Sequence, residues 1–177
     1  MVEEPNMNVN RDLFIDLSAR LPYGVRGTVP VEVATGHYDM IDGSMEYEEK
    51  DILVELVGIG DGEEIDLMIL EKGWEDYDLS DYNFLLDDFV PLLRPLSSMT
   101  EDEKNELNKH YLCITIGDHI TLKYHSEGYW DNDTETEFKD YLWLENWFNE
   151  HHFDFRGLIP KNLATAVTEE NNPYVKD

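Results

Sequence analysis

The sequence predicts an α+β fold: one domain over residues 1–177, built on a mostly antiparallel sheet of about five strands packed with three helices. Three observations carry that expectation. Two pairs of β-prone runs are each separated by a short Gly/Asp stretch, the signature of a hairpin, because those residues accept positive φ. Two Thr-x-x-Glu patterns, Thr100 with Glu103 and Thr134 with Glu137, have the spacing of a capping box that opens a helix. Hydrophobic residues make up 41% of the chain, enough at this length to bury a core without disulfide or metal.

In chain order, Asn10 is placed to cap an N-terminal helix with Leu13, Phe14, Leu17 and Leu21 on one side, ended by Pro22 and Gly24. Residues 25–33 follow as a half-buried strand in which Val29, Val31 and Val33 alternate with polar residues, and Pro30 puts this strand at an edge. Gly36 and the Asp42-Gly43 dipeptide read as turns. Residues 51–60 and 63–70 form the first hairpin around Gly60-Asp61-Gly62, and residues 111–116 and 119–125 the second, around Gly117-Asp118. Between them lie an acidic aromatic segment, 74–89, and the short middle helix opened by Thr100.

The long C-terminal aromatic helix begins at Thr134. Phe138, Tyr141, Leu142, Leu144, Phe148 and His151 recur at spacings of three and four and lay an apolar stripe along it. It should stop by Gly157, since Gly tolerates the left-handed conformation and Pro160 cannot continue a helix. The ends, 1–9 and 168–177, read as flexible. No repeat, low-complexity linker or second domain shows in the pattern.

With 40 acidic against 13 basic residues the formal charge is −27, which repels nucleic acid and anionic membrane surfaces and favours a basic partner. The acidity is uneven: residues 31–90 hold 19 acids against Lys50 and Lys72, whereas the first 30 residues hold four acids and three arginines. The start, MVEEPNMNVN, has neither the basic region nor the apolar run of a signal peptide, and no stretch is apolar enough to span a bilayer. The single Cys113, in YLCITIG, excludes an internal disulfide and reads as a buried strand residue of a reducing compartment, here the cytoplasm.

Three segments, DLSARLPYGV, PLSSMTEDEK and HFDFRGLIPKNLA, resemble in content and order a family of small uncharacterised proteins encoded by intestinal anaerobic bacteria and their phages and mobile elements. They cover about a fifth of the chain, and the resemblance transfers no catalytic residue. Where that pattern has Gly before Leu-Ala, this chain has Asn162, the other residue that readily visits the left-handed region, so the turn should survive. The resemblance leaves 31–90 uncovered, so if function varies among the relatives it should vary there.

Candidate chemistry is sparse. His119 and His125 face one side of a strand and could begin a zinc site with His110 or Glu127, but six residues of strand separate them by about 20 Å. Asp131, Asp133 and Glu135 have calcium-loop spacing, yet Thr136 stands at the glycine position and Leu142 at the twelfth. Gly58-Ile59-Gly60-Asp61-Gly62 lacks the helix and lysine of a phosphate loop. Ser18, Ser97 and Ser98 lie in no nucleophile elbow, His151-His152 suits a helix C-terminus, and Arg156 reads as a structural clamp. No metal, cofactor or catalytic set is expected.

Two readings of function stay open. In the first, a non-enzymatic acidic surface formed by Glu46, Glu48, Glu49, Asp61, Glu63, Glu64, Asp66, Glu75, Asp76, Asp78, Asp81, Asp87 and Asp88 engages and inhibits a basic, nucleic-acid-handling host protein, with DNA mimicry and defence evasion by a phage or mobile element as its use. In the second, a small ligand such as a nucleotide signal is held by Arg20, Arg26, Arg94 and Arg156 with Trp130 as a stacking surface, which requires the four arginines to converge. Exposed aromatics in 74–89 and 127–130 would also serve self-assembly.

Overall fold

The computed structural model describes residues 7–38, 42–60, 64–74, 77–79, 82–109, 111–116, 120–124 and 134–175. The class is α+β: the described residues form a five-stranded sheet, a separate two-stranded sheet and three α-helices. Contacts divide the chain into two compact units, Met1–Leu92 and Leu93–Asp177, and the division falls inside a strand, with no linker to mark it.

The first unit opens with α1, Met7–Arg20. It begins before Asn10, because Asn is only mildly unfavourable inside a helix and its capping preference alone does not set a start. Residues 7–9, expected to be flexible, are therefore helical. Leu13 and Leu17 are buried as expected, but Phe14 points to solvent at 43% exposure. The buried stripe runs instead through Asp16 and Arg20, whose side chains are wholly buried and form a two-pronged ion pair, 2.6 and 3.0 Å, one helical turn apart. A tight turn, Leu21–Tyr23, follows, and Gly24 at φ 69° closes it by donating to the Leu21 carbonyl.

Strand β1, Arg26–Tyr38, pairs antiparallel with β2, Met45–Ile59, from Arg26↔Glu55 to Ala34↔Tyr47, and again at Tyr38↔Met45 beyond a bulge. Gly36, read from sequence as a loop, is that bulge, with φ 78°. The Asp42-Gly43 turn is present: Gly43 has φ 73° and the Ser44 N–H donates to Asp42 Oδ1 at 2.8 Å. Strand β3, Ile65–Ile69, completes the first hairpin against β2; Asp61 and Gly62 of its expected turn lie outside the described residues.

Strand β4, Val90–Leu93, pairs with β1 at Gly27↔Pro91 and Thr28↔Val90, so β1 is an interior strand rather than the edge that Pro30 implied. A Cβ on Gly27 would lie 2.5 Å from the Val90 carbonyl, so only glycine admits this approach. The sheet order is β3-β2-β1-β4-β7, where β7 is the two-residue Thr165–Ala166 and Val167 donates to the Leu93 carbonyl at 2.8 Å. The second expected hairpin forms, as β5, Tyr111–Ile116, with β6, Ile120–Tyr124, but it makes a sheet of its own. A hairpin satisfies its ladder locally, so its sequence does not say which sheet it joins.

In the second unit, α2, Glu101–Asn108, carries the expected capping box: Glu103 N–H donates to Thr100 Oγ1 at 3.3 Å and Thr100 N–H to Glu103 Oε2 at 2.7 Å. Helix α3, Thr134–Glu150, buries Leu144, Trp147 and Phe148 with Met99, Leu107 and Phe153. Leu142 is exposed, against expectation, and Trp147 takes its place in the stripe; Phe138 and Tyr141 fall where only the backbone is described. The helix ends well before Gly157. His152 adopts φ 56°, its N–H reaches the Asn149 carbonyl at 3.1 Å, and Phe153 N–H reaches Phe148 at 3.0 Å, a Schellman closure with the Phe148 and Phe153 rings in edge contact. Asn162 at φ 59° holds the left-handed turn foreseen for it. The tail expected to be flexible makes contacts of its own: Tyr174 stacks on His152 at 3.8 Å, and Thr168 N–H donates to Asn171 Oδ1 at 2.6 Å. Among the described residues no helix is long and apolar enough to cross a membrane.

Candidate interaction surface

The feature that stands out in the first unit is the outer half of the β1–β2 hairpin. Its inner half is core: Val29, Val31, Ile52, Val54 and Leu56 are at most 1% exposed. Beyond Val31 the strands keep pairing but lose their burial, and residues 46–51 are all exposed. β3 reaches β2 only from Val54 onward and β4 reaches β1 only at Gly27 and Thr28, so the outer half is a two-stranded ribbon.

Pairing parity sets what each side of the ribbon displays. Leu56 N–H donates to the Val25 carbonyl at 3.0 Å, so the mutually bonded pairs continue as 27↔54, 29↔52, 31↔50 and 33↔48. The alternate residues, 28, 30, 32 and 34 of β1 and 47, 49, 51 and 53 of β2, turn their backbone groups outward. Three hydrogen bonds agree: Leu53 N–H donates to Glu71 Oε2 at 3.0 Å, and the Glu32 carbonyl accepts from the Tyr77 and Tyr82 hydroxyls at 3.1 and 3.2 Å. Pro30 occupies an outward position, where its missing N–H breaks no β1–β2 bond.

Side chains alternate accordingly. One face carries Glu32, Glu49, Asp51 and Tyr47; the other carries Glu46 and Glu48 beside Lys50. Glu32 and Glu49 stand directly opposite, a like-charge cross-strand pair that destabilises the ladder. Lys50 is engaged internally, 3.0 Å from Glu71 Oε1 and 4.8 Å from the Trp74 ring centroid. Among the described residues, no cation pairs with Glu46, Glu48, Glu49 or Asp51, and the ribbon's carboxylates stay uncompensated.

An aromatic strap crosses this ribbon. It begins at Glu71 on the outward edge of β2 and ends with Tyr77 and Tyr82 on the outward edge of β1, through Trp74 packed edge-on to Tyr77 at 4.8 Å and Tyr82 stacked on Phe84 at 5.2 Å. Burial pushes the Glu71 carboxyl up, but the bonds from Lys50 and the Leu53 N–H outweigh it and hold the group below its usual value. The Tyr77 hydroxyl is pushed up to about 12, chiefly by its 2.8 Å hydrogen bond with Tyr82, then by burial.

Of the acidic residues expected to form the surface, Glu46, Glu48 and Glu49 come together on the ribbon; Glu64, Asp66, Asp78 and Asp87 are exposed elsewhere in the unit. Asp88 is a capping residue instead, its Oδ2 accepting from Leu85 N–H at 2.8 Å. Asp61, Glu63, Glu75, Asp76 and Asp81 lie outside the described residues. The expected set omitted Glu32 and Asp51, which pairing adds to the same face as Glu49.

The arginines of the ligand reading are each committed to a carboxylate within their own unit. Arg20 is fully buried on Asp16, out of a ligand's reach, and Arg26 lies 3.2 Å from Glu55. Arg94 grips Glu103 at 2.6 and 3.0 Å over the Phe153 ring, and burial of Glu103 is outweighed by that contact and by Thr100, which together lower its pKa. Arg156 is the clamp that its position indicated, bound to Glu145 and to Asn149 Oδ1 over the Phe155 ring. Trp130, His119, His125, Asp131 and Asp133 lie outside the described residues, among which no group of three metal-ligating side chains occurs. No family model, curated protein or solved structure matches the chain.

Proposed function

We propose that this is a non-enzymatic interaction protein that docks its acidic β1–β2 ribbon onto the basic surface of a nucleic-acid-handling protein and inhibits it, as a phage or mobile-element product would in the cytoplasm of a host cell. One observation carries the reading: carboxylates project from both faces of a ribbon that buries nothing, including an opposed like-charge pair that folding alone does not favour. Uncompensated charge on a protruding element raises association rate and selects a cationic partner. In that role the ribbon competes with the phosphate backbone for the partner's lysines and arginines.

The test is competition. Nucleic-acid-binding proteins from an intestinal anaerobe, captured at low salt and identified, are expected to lose DNA binding when this protein is added, and to release this protein as salt rises. A quadruple variant, Glu32→Gln, Glu46→Gln, Glu48→Gln and Glu49→Gln, should fold and compete at least about tenfold less well, since each tenfold corresponds to only about 1.4 kcal/mol. Capture that ignores salt, or a quadruple variant that competes equally, would overturn the proposal.

A further inference from the structure

The geometry points to strand addition: we propose that the outward edge of β2 over residues 47–51 accepts a lysine- and arginine-rich β-strand of the partner, so that recognition is through the backbone as well as through charge. This rests on the reading of the ribbon as a docking surface and specifies how it docks. Parity turns the N–H and carbonyl groups of Tyr47, Glu49 and Asp51 outward on the side that β3 occupies further along. Among the described residues nothing bonds to those groups. The last outward donor before them, Leu53 N–H, is taken by Glu71, so the open stretch begins where β3 and its exit leave off.

The opposite edge of the ribbon is obstructed at residues 30 and 32. Pro30 offers no N–H, and the Glu32 carbonyl is filled by two tyrosine hydroxyls. An exposed strand edge is a template for pairing, and charge is the usual device against pairing with a copy of itself. Two such edges brought together would set Glu49 and Asp51 against carboxylates of the same kind, so a second copy is disfavoured. A cationic strand reverses the sign. Laid about 4.8 Å from β2, its side chains would meet Glu49 and Asp51 on one face and Glu46 and Glu48 on the other, so it should be basic on both faces.

The probe is a ten-residue peptide of repeating Lys-Lys-Thr-Thr order, which puts lysine on both faces of a strand, compared with an isomer of identical composition carrying D-residues at scattered positions, which keeps the charge and loses the strand. The L-peptide should bind about tenfold or more tightly than the isomer, equivalent to one or two net backbone hydrogen bonds, and should slow exchange of the Tyr47, Glu49 and Asp51 amides. On the protein side, Glu49→Pro removes an outward N–H without touching the β1 ladder and should weaken binding well beyond Glu49→Gln, which removes only the charge. If Glu49→Pro unfolds, amide exchange on the unaltered protein still decides. Equal, salt-sensitive binding of both peptides with unprotected amides would overturn strand addition and leave charge docking standing. Absence of L-peptide binding at low salt would likewise overturn it, independently of the competition assay.

Discussion

The two halves of the β1–β2 hairpin share one ladder and one register and differ in everything else. In the inner half, Val29 and Val31 on β1 face Ile52, Val54 and Leu56 on β2 in a dry interior. In the outer half the same alternation displays Glu32, Glu46, Glu48, Glu49 and Asp51 to water. Hydrophobic burial explains the first half. The second pairs only with itself, and two-stranded ribbons are marginal in water, so it persists as an extension templated by the buried half and tied across by the aromatic strap.

The sharpest way to break this contrast is to damage each half in turn. Leu56→Ala should lower the unfolding free energy by about 2–5 kcal/mol, whereas Glu48→Gln should stay within about 0.5 kcal/mol; chemical denaturation measures both. Comparable losses would mean that the ribbon carries stability. Gly27→Ala, on the inner half, should cost about 1–3 kcal/mol, because its Cβ would sit 2.5 Å from the Val90 carbonyl.

The strap offers an intermediate test. Tyr77→Phe should remove about 0.5–1.5 kcal/mol and loosen ribbon amides in hydrogen exchange while sparing the inner half. Because the folded Tyr77 hydroxyl is held near 12 against an ordinary 10, its contribution is complete below pH 10 and fades as pH rises from 10 through about 12. A tyrosine that ionises late in an absorbance titration, and does so normally in Tyr82→Phe, would confirm the coupling. The smallest effect is a gain: Glu49→Lys turns a like pair with Glu32 into an opposite one and should stabilise by about 0.2–1 kcal/mol, fading in high salt.

Local signals in the sequence were legible where one residue or one short pattern suffices. The Thr100–Glu103 box and the left-handed Asn162 need no distant partner, and both are present. Strands were legible as far as apolar alternation ran. Past Val33 it stops, so residues 34–38 and 45–50 read as loops although they pair, because a strand polar on both faces has no period to detect. The same blindness hid Glu32 and Asp51, whose significance depends on who stands opposite. On α1, Phe14 read as core and is exposed, whereas the stripe buries an Asp16–Arg20 pair, since mutual neutralisation removes the charge that pattern counting treats as outward. His152 at a helix end suited a dipole argument, yet it acts as the left-handed terminator, a role His fills less often than Gly or Asn.

Pro30 stands just before the point where the hairpin changes character, and the ribbon beyond it is separable in length from the rungs below. Removing two residues from each strand beyond it would shorten the arm by about 7 Å and keep every remaining side chain on its face, while removing one would swap the faces wholesale. Neither edit touches the inner rungs from Arg26↔Glu55 to Val29↔Ile52. Length and charge pattern of the ribbon can therefore change while the buried strands beneath it keep their pairing.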